Sequence, residues 1–155
     1  MNNKVLVAID NTGLSQLVVD SLAAQMHPDQ ADVLVLEIVE PLVRSYPPQM
    51  AKGYAPEMAP RQEENIRRAK QVLNEAVDLF RKAGFKASSR VVESEIKEGI
   101  LNVATEWGAN LVVVTSHERK GVAKFLHRSV AQAIIQRAAC SVLTVKGPAI
   151  KKAAA

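Results

Sequence analysis

A single cysteine, Cys140, stands in the 155-residue chain, so no disulfide can form within it. A domain of this length buries roughly two-thirds of its unfolded surface and folds without staples. The lone thiol fits a reducing, cytoplasmic setting. Aromatic residues are scarce, with three Phe, two Tyr and one Trp, so aliphatic side chains must fill the core. That scarcity also removes the stacking platforms expected of a nucleic-acid binder. Apolar runs are short. Leu111 to Val114 is typical, against the roughly 20 residues that cross a bilayer. Met1 to Lys4 leads straight into a strand-like segment and reads as no signal peptide. Glycine fingerprints for nucleotides are missing as well. There is no GxxxxGK[ST] loop, and Asp10-Asn11-Thr12-Gly13 stands where a GxGxxG would follow the first strand. His27, His117 and His127 have no partner at metal-ligand spacing, so no metal site is read. The net charge of +4 comes from basic residues scattered over helix-like segments. It suits an anionic partner without demanding one, and nucleic acid is not favoured.

What is present is an alternation. Lys4–Ile9, Val33–Val39, Lys86–Val92, Asn110–Thr115 and Ser141–Lys146 are short runs rich in Val, Leu and Ile. Such runs read as strands covered on both faces. Between them, apolar residues recur at helical spacing. Leu14, Leu17, Val18, Leu22 and Met26 predict a helix over 13–26, capped by Thr12 or Ser15. Ile66, Ala69, Leu73, Ala76 and Phe80 predict a second, opening at Pro60 and ended by Gly84. Ile96, Ile100, Val103 and Ala104 predict a third, stopped by Gly108. Val130, Ala133, Ile134 and Ala138 predict a fourth, entered at about Ser129. Five of the seven prolines fall within residues 40–60, which are read as a long mobile loop. The order βαβαβαβαβ predicts one α/β domain over residues 1–148, a five-stranded parallel sheet with helices on both faces. Residues 149–155 are a tail.

Ligands of such folds bind beyond the carboxyl ends of the strands, where the strand order reverses. That rule places Asp10, Val39 and Thr115 near any site. Residues 115–130, TSHERKGVAKFLHRSV, would then present backbone amides, Gly121 and a helix start to the crevice, an arrangement that favours anions. Arg119, Lys120, Lys124 and Arg128 add positive charge. A nucleophilic set of His127, Ser129 and Asp10 is not supported, because His127 and Ser129 lie two apart at a helix start and point in different directions. No catalytic residue is assigned, and Cys140 reads as a small core residue.

Three segments carry a resemblance: KVLVAIDNTGLS at residues 4–15, ESEIKEGIL at 93–101, and the stretch from Gly108 to Lys146. Together they resemble the universal stress protein family across nearly the whole chain. The resemblance implies a Rossmann-like fold of the adenine nucleotide alpha hydrolase type, cytoplasmic location and a stress-response binding or signalling role without enzymatic turnover. It also implies a homodimer formed through Ser141–Lys146, which with the 40–60 loop would engage protein partners. ATP-binding members carry G-2x-G-9x-G-[ST]. Laid on this chain, that motif meets Thr115, Glu118, Arg128 and Ser129, of which only Ser129 matches, while Gly121 keeps a further loop glycine. Thr115 and Arg128 obstruct close backbone approach to phosphate, and Glu118 repels it. The implied ligand set is Asp10 at the ribose and Val39 at the adenine, with Thr115, Gly121, Arg128 and Ser129 at the phosphate end. The degraded motif implies no tight ATP binding. The alternative is an adenine-nucleotide sensor for ATP, AMP or cyclic AMP, with weak ATPase activity at most.

Overall fold

A computed structural model describes residues 2–10, 13–42, 48–116 and 123–147, with the side chains of 48–58 and 123–129 outside the description. The strands are β1 (Asn3–Ala8), β2 (Ala31–Val39), β3 (Lys86–Glu93), β4 (Leu111–Ser116) and β5 (Ser141–Lys146). The helices are α1 (Ser15–Gln25), α2 (Pro48–Lys82), α3 (Ile96–Trp107) and α4 (Ala123–Arg137), with one 3-10 turn at Pro28–Gln30. All strand pairs are parallel, in the order β3-β2-β1-β4-β5. The chain starts in the middle strand, builds outward to β3, then crosses to β4. The strand order therefore reverses between β1 and β4.

Period-two alternation along the strands separates two cores. Val5 and Val7 of β1, Val33 and Val35 of β2 and Val113 of β4 face α1 and α2, meeting Val18, Leu22, Leu73, Val77 and Phe80. Leu6, Leu34, Leu36, Val112 and Val114 face the other way, toward Ile100 and Val103 of α3 and Ile134 of α4. Aliphatic side chains thus dominate both layers, and Phe80 is the largest fully buried one.

Gly84 ends α2 as expected. Its φ of 96° suits glycine. Gly84 N donates to the Arg81 carbonyl and Phe85 N to the Phe80 carbonyl, both at 3.0 Å. This pair of bonds is a Schellman closure, and its apolar contact is the edge-on packing of Phe80 and Phe85 at 5.8 Å. The Arg81 guanidinium then donates twice to the Ala87 carbonyl and ties the helix end to β3.

Three expectations are corrected. Residues 40–60 are not one loop, because α2 begins at Pro48 and runs 35 residues through Pro56 and Pro60. Pro48 takes the first helical position, where its missing amide has no intrahelical bond to make. Only two prolines are interior, and each removes one backbone bond from a long helix. Residues 43–47 lie outside the described residues. The fourth helix begins at Ala123 rather than near Ser129, so Ser129 is inside α4 and not at its start. Finally, α1 is entered through Leu14 with no side-chain cap hydrogen bond, and Ser15 is already helical. Thr12 lies outside the described residues.

Candidate functional site

At the reversal point the sheet opens into a crevice of about 210 Å³. Its sheet side is built from Ala8 at the end of β1, Ile9 and Asp10 after it, Leu36 to Ile38 of β2, and Val114 and Thr115 of β4; Ile96 and Ile100 of α3 and Val130 of α4 close it. The walls are aliphatic because these positions continue the Leu34–Leu36 face of the core beyond the sheet edge. Gly99 sets how closely α3 approaches. A Cβ there would sit 2.7 Å from Ile38 Cδ1, so a side chain would push α3 or Ile38 aside.

The polar part is small. Thr115 Oγ1 donates to Asp10 Oδ2 at 3.4 Å, joining the ends of β1 and β4. Thr115, placed near the site by the strand-end rule and read as an obstruction to phosphate, thus orients the carboxylate beside it. Glu37 is a residue that sequence reasoning missed. It borders both the crevice and the groove between β2 and α2. Strand alternation puts it on the Val33–Val35 face, under α2. Its Oε2 is buried and has no hydrogen-bond partner among the described residues. Burial, and secondarily the nearby Asp10 carboxylate, push its carboxyl up to about 7. The available signal was one acidic residue inside the apolar run VLVLEIV.

The start of α3 is also at the crevice, through Ile96. Its amides are already served by carboxylates. Glu95 accepts from Glu98 N at 2.8 Å, and Glu40 Oε1 accepts from Ile96 N at 3.4 Å. A helix N-terminus capped in this way leaves little for a phosphate. No Lys or Arg is among the described residues that line the crevice. The described part is therefore apolar and acidic.

The structure brings Asp10 and Thr115 together. It does not bring Val39 to them. Val39 is buried, its carbonyl accepts from Ser94 N at 3.1 Å, and Ile38 lines the crevice in its place. Gly121 lies outside the described residues; Arg128 and Ser129 are helical in backbone, with side chains outside the description. Cys140 packs half-buried against the α3–α4 core, and burial pushes its thiol up, away from the reactive thiolate. Among the described residues no group of three or more His, Cys, Asp or Glu could hold a metal ion, and no helix is long and apolar enough to cross a membrane.

Comparison with known proteins agrees with this architecture. A model of the universal stress protein family matches residues 1–146. The universal stress protein YxiE of Bacillus subtilis is 28% identical over 148 residues, covering 94% of this chain and all of that protein. The universal stress protein of Archaeoglobus fulgidus superposes with a TM-score of 0.71 at 22% identity, over 94% of this chain and 100% of that one. Its structure in complex with dAMP superposes at 0.66, with 21% identity, over 93% and 98% of the two chains.

Proposed function

The chain belongs to the universal stress protein family, and from that membership we propose a stress-response binding module without turnover, whose crevice takes a low-charge adenine nucleotide and does not hold ATP tightly. One observation carries this reading. The crevice at the β1–β4 reversal combines aliphatic walls, which suit a flat base, with the oriented Asp10–Thr115 pair, which suits a ribose hydroxyl. Solved relatives hold dAMP, cyclic AMP and AMP, which supports an adenine nucleotide as the ligand class. Asp10 and Glu37, with Glu95 and Glu40 on the first amides of α3, disfavour a triphosphate. In sequence, residues 117–129 carry Arg119, Lys120, Lys124 and Arg128.

The test is thermal unfolding with adenosine, AMP, cyclic AMP and ATP. A ligand that binds only the folded state raises the melting temperature by mass action. Millimolar AMP or cyclic AMP should raise it more than ATP does. No shift with any of the four refutes nucleotide binding. A larger shift with ATP refutes the low-charge preference.

The module would act as a dimer in a cytoplasmic setting. β5 is an edge of the sheet, and Ser141–Lys146 leaves one side of its backbone for a second copy. Sedimentation at tens of micromolar should show a dimer, and a monomer alone would contradict that surface.

A further inference from the structure

Glu37 is the one acidic side chain inside the apolar run of β2, and the proposed ligand site has no evident need of it. Its neighbours are Ile9 after β1, Val91 of β3 at the paired register position, and Ala69 and Val72 across the groove on α2. The charged groups around it are few. Asp10 follows β1 at the crevice. Arg68 of α2 borders the same groove, with its guanidinium on Glu64 at 3.4 Å. Glu40 follows β2 and is engaged at Ile96 N. Glu93 of β3 accepts from Gln62 of α2 at 3.2 Å. None of the described residues gives Glu37 Oε2 a hydrogen bond.

We propose that Glu37 is a proton-coupled specificity residue of the crevice, which holds its proton more tightly while an anionic nucleotide is bound than when the crevice is empty or holds an uncharged nucleoside. The inference rests on the nucleotide-binding reading above and adds regulation to that site. Asp10 already shows the effect within the protein, since a carboxylate at the crevice disfavours ionised Glu37. A ligand anion beside Asp10 acts in the same direction. Protonation and anion binding therefore favour each other, as linkage requires. With no ligand, burial and secondarily Asp10 push the Glu37 carboxyl up to about 7, so the coupling is centred near neutral pH. Below that range Glu37 is neutral and an anion enters unopposed. Above it, the ionised carboxylate repels the anion.

Cyclic AMP is the suitable probe, because its phosphodiester carries one fixed charge from pH 5 to 9, and adenosine is the uncharged control. Calorimetry of the full chain at pH 6, 7 and 8, in buffers of different ionisation enthalpy, reads affinity and proton uptake together. Cyclic AMP should bind about three- to tenfold more weakly at pH 8 than at pH 6. Its binding near pH 7 should take up a fraction of a proton, whereas adenosine should show neither effect. Glu37→Gln should abolish both for cyclic AMP; proton uptake that persists in this variant belongs to another group, such as His117 or His127, and overturns the assignment. Carbon-13 NMR of the Glu37 carboxyl in the unaltered chain avoids any folding defect of the variant: its titration midpoint should rise with cyclic AMP, and an unmoved midpoint overturns the proposal. Failure of both ligands to bind at every pH contradicts the nucleotide-binding reading itself. Cyclic AMP binding that is independent of pH and buffer contradicts only the role of Glu37.

Discussion

The two ends of the sheet are built on opposite principles. At the amino end, polar groups are paired and chain reversals are closed. Lys4 N donates to Asn110 Oδ1 while Asn110 N donates to the Lys4 carbonyl, both at 2.8 Å, and Lys4 Nζ reaches the Trp107 carbonyl. The end of α2 closes through Gly84 and Phe85, and that of α3 through Gly108 and Ala109. At the carboxyl end lies the crevice. Glu37 Oε2 and Gln62 Oε1, the two buried side-chain oxygens without a partner among the described residues, lie at this end, Gln62 on α2 beside the ends of β2 and β3. Buried polar groups are nearly always satisfied, so their clustering marks where the fold carries a cost that packing alone does not require. The amino end holds the domain together, and the carboxyl end carries the crevice proposed for the ligand.

Substitutions at the two ends should separate stability from binding. The largest effect is expected for Phe80→Ala, which empties the centre of the α2 closure. It should cost about 3–5 kcal/mol in denaturant unfolding while leaving cyclic AMP affinity of the folded fraction unchanged. A comparable loss of affinity would break the division. Glu37→Gln should do the reverse and stabilise the protein, in a manner set by pH. Burial pushes the folded carboxyl up to about 7 from its ordinary 4.5, so the folded state binds the extra proton between those values and stability falls as pH rises through them. The variant should match the parent below pH 4.5 and exceed it by about 1–3 kcal/mol above pH 7. A variant that is less stable at pH 8 would show that ionised Glu37 contributes to the fold. The smallest effect is expected for Asn110→Ala, about 0.5–1.5 kcal/mol from the exposed Lys4 bond. No change in nucleotide affinity should accompany it.

The same contrast explains what could be read in the sequence. Strands such as VLVAI and NLVVVT, and the glycines that stop α2 and α3, are local signals, and they placed the parallel sheet and its reversal point. Asp10 and Thr115 followed from that placement. Val39 did not, because it is buried and its carbonyl accepts from Ser94 N, while Ile38 lines the crevice. The prolines at 48 and 56 argued against a helix that tolerates them, and Pro60, which suits a helix start, lies inside it. Glu37 carried no motif, since its environment is assembled from β1, β3 and α2 only in the folded chain.

Backbone amide NMR of the full chain titrated with AMP tests the central claim most directly. The account predicts shifts at Asp10, Ile38, Ile96 and Thr115, with Lys4, Phe85 and Asn110 unmoved. Shifts confined to the amino end, or none anywhere at millimolar AMP, would contradict it.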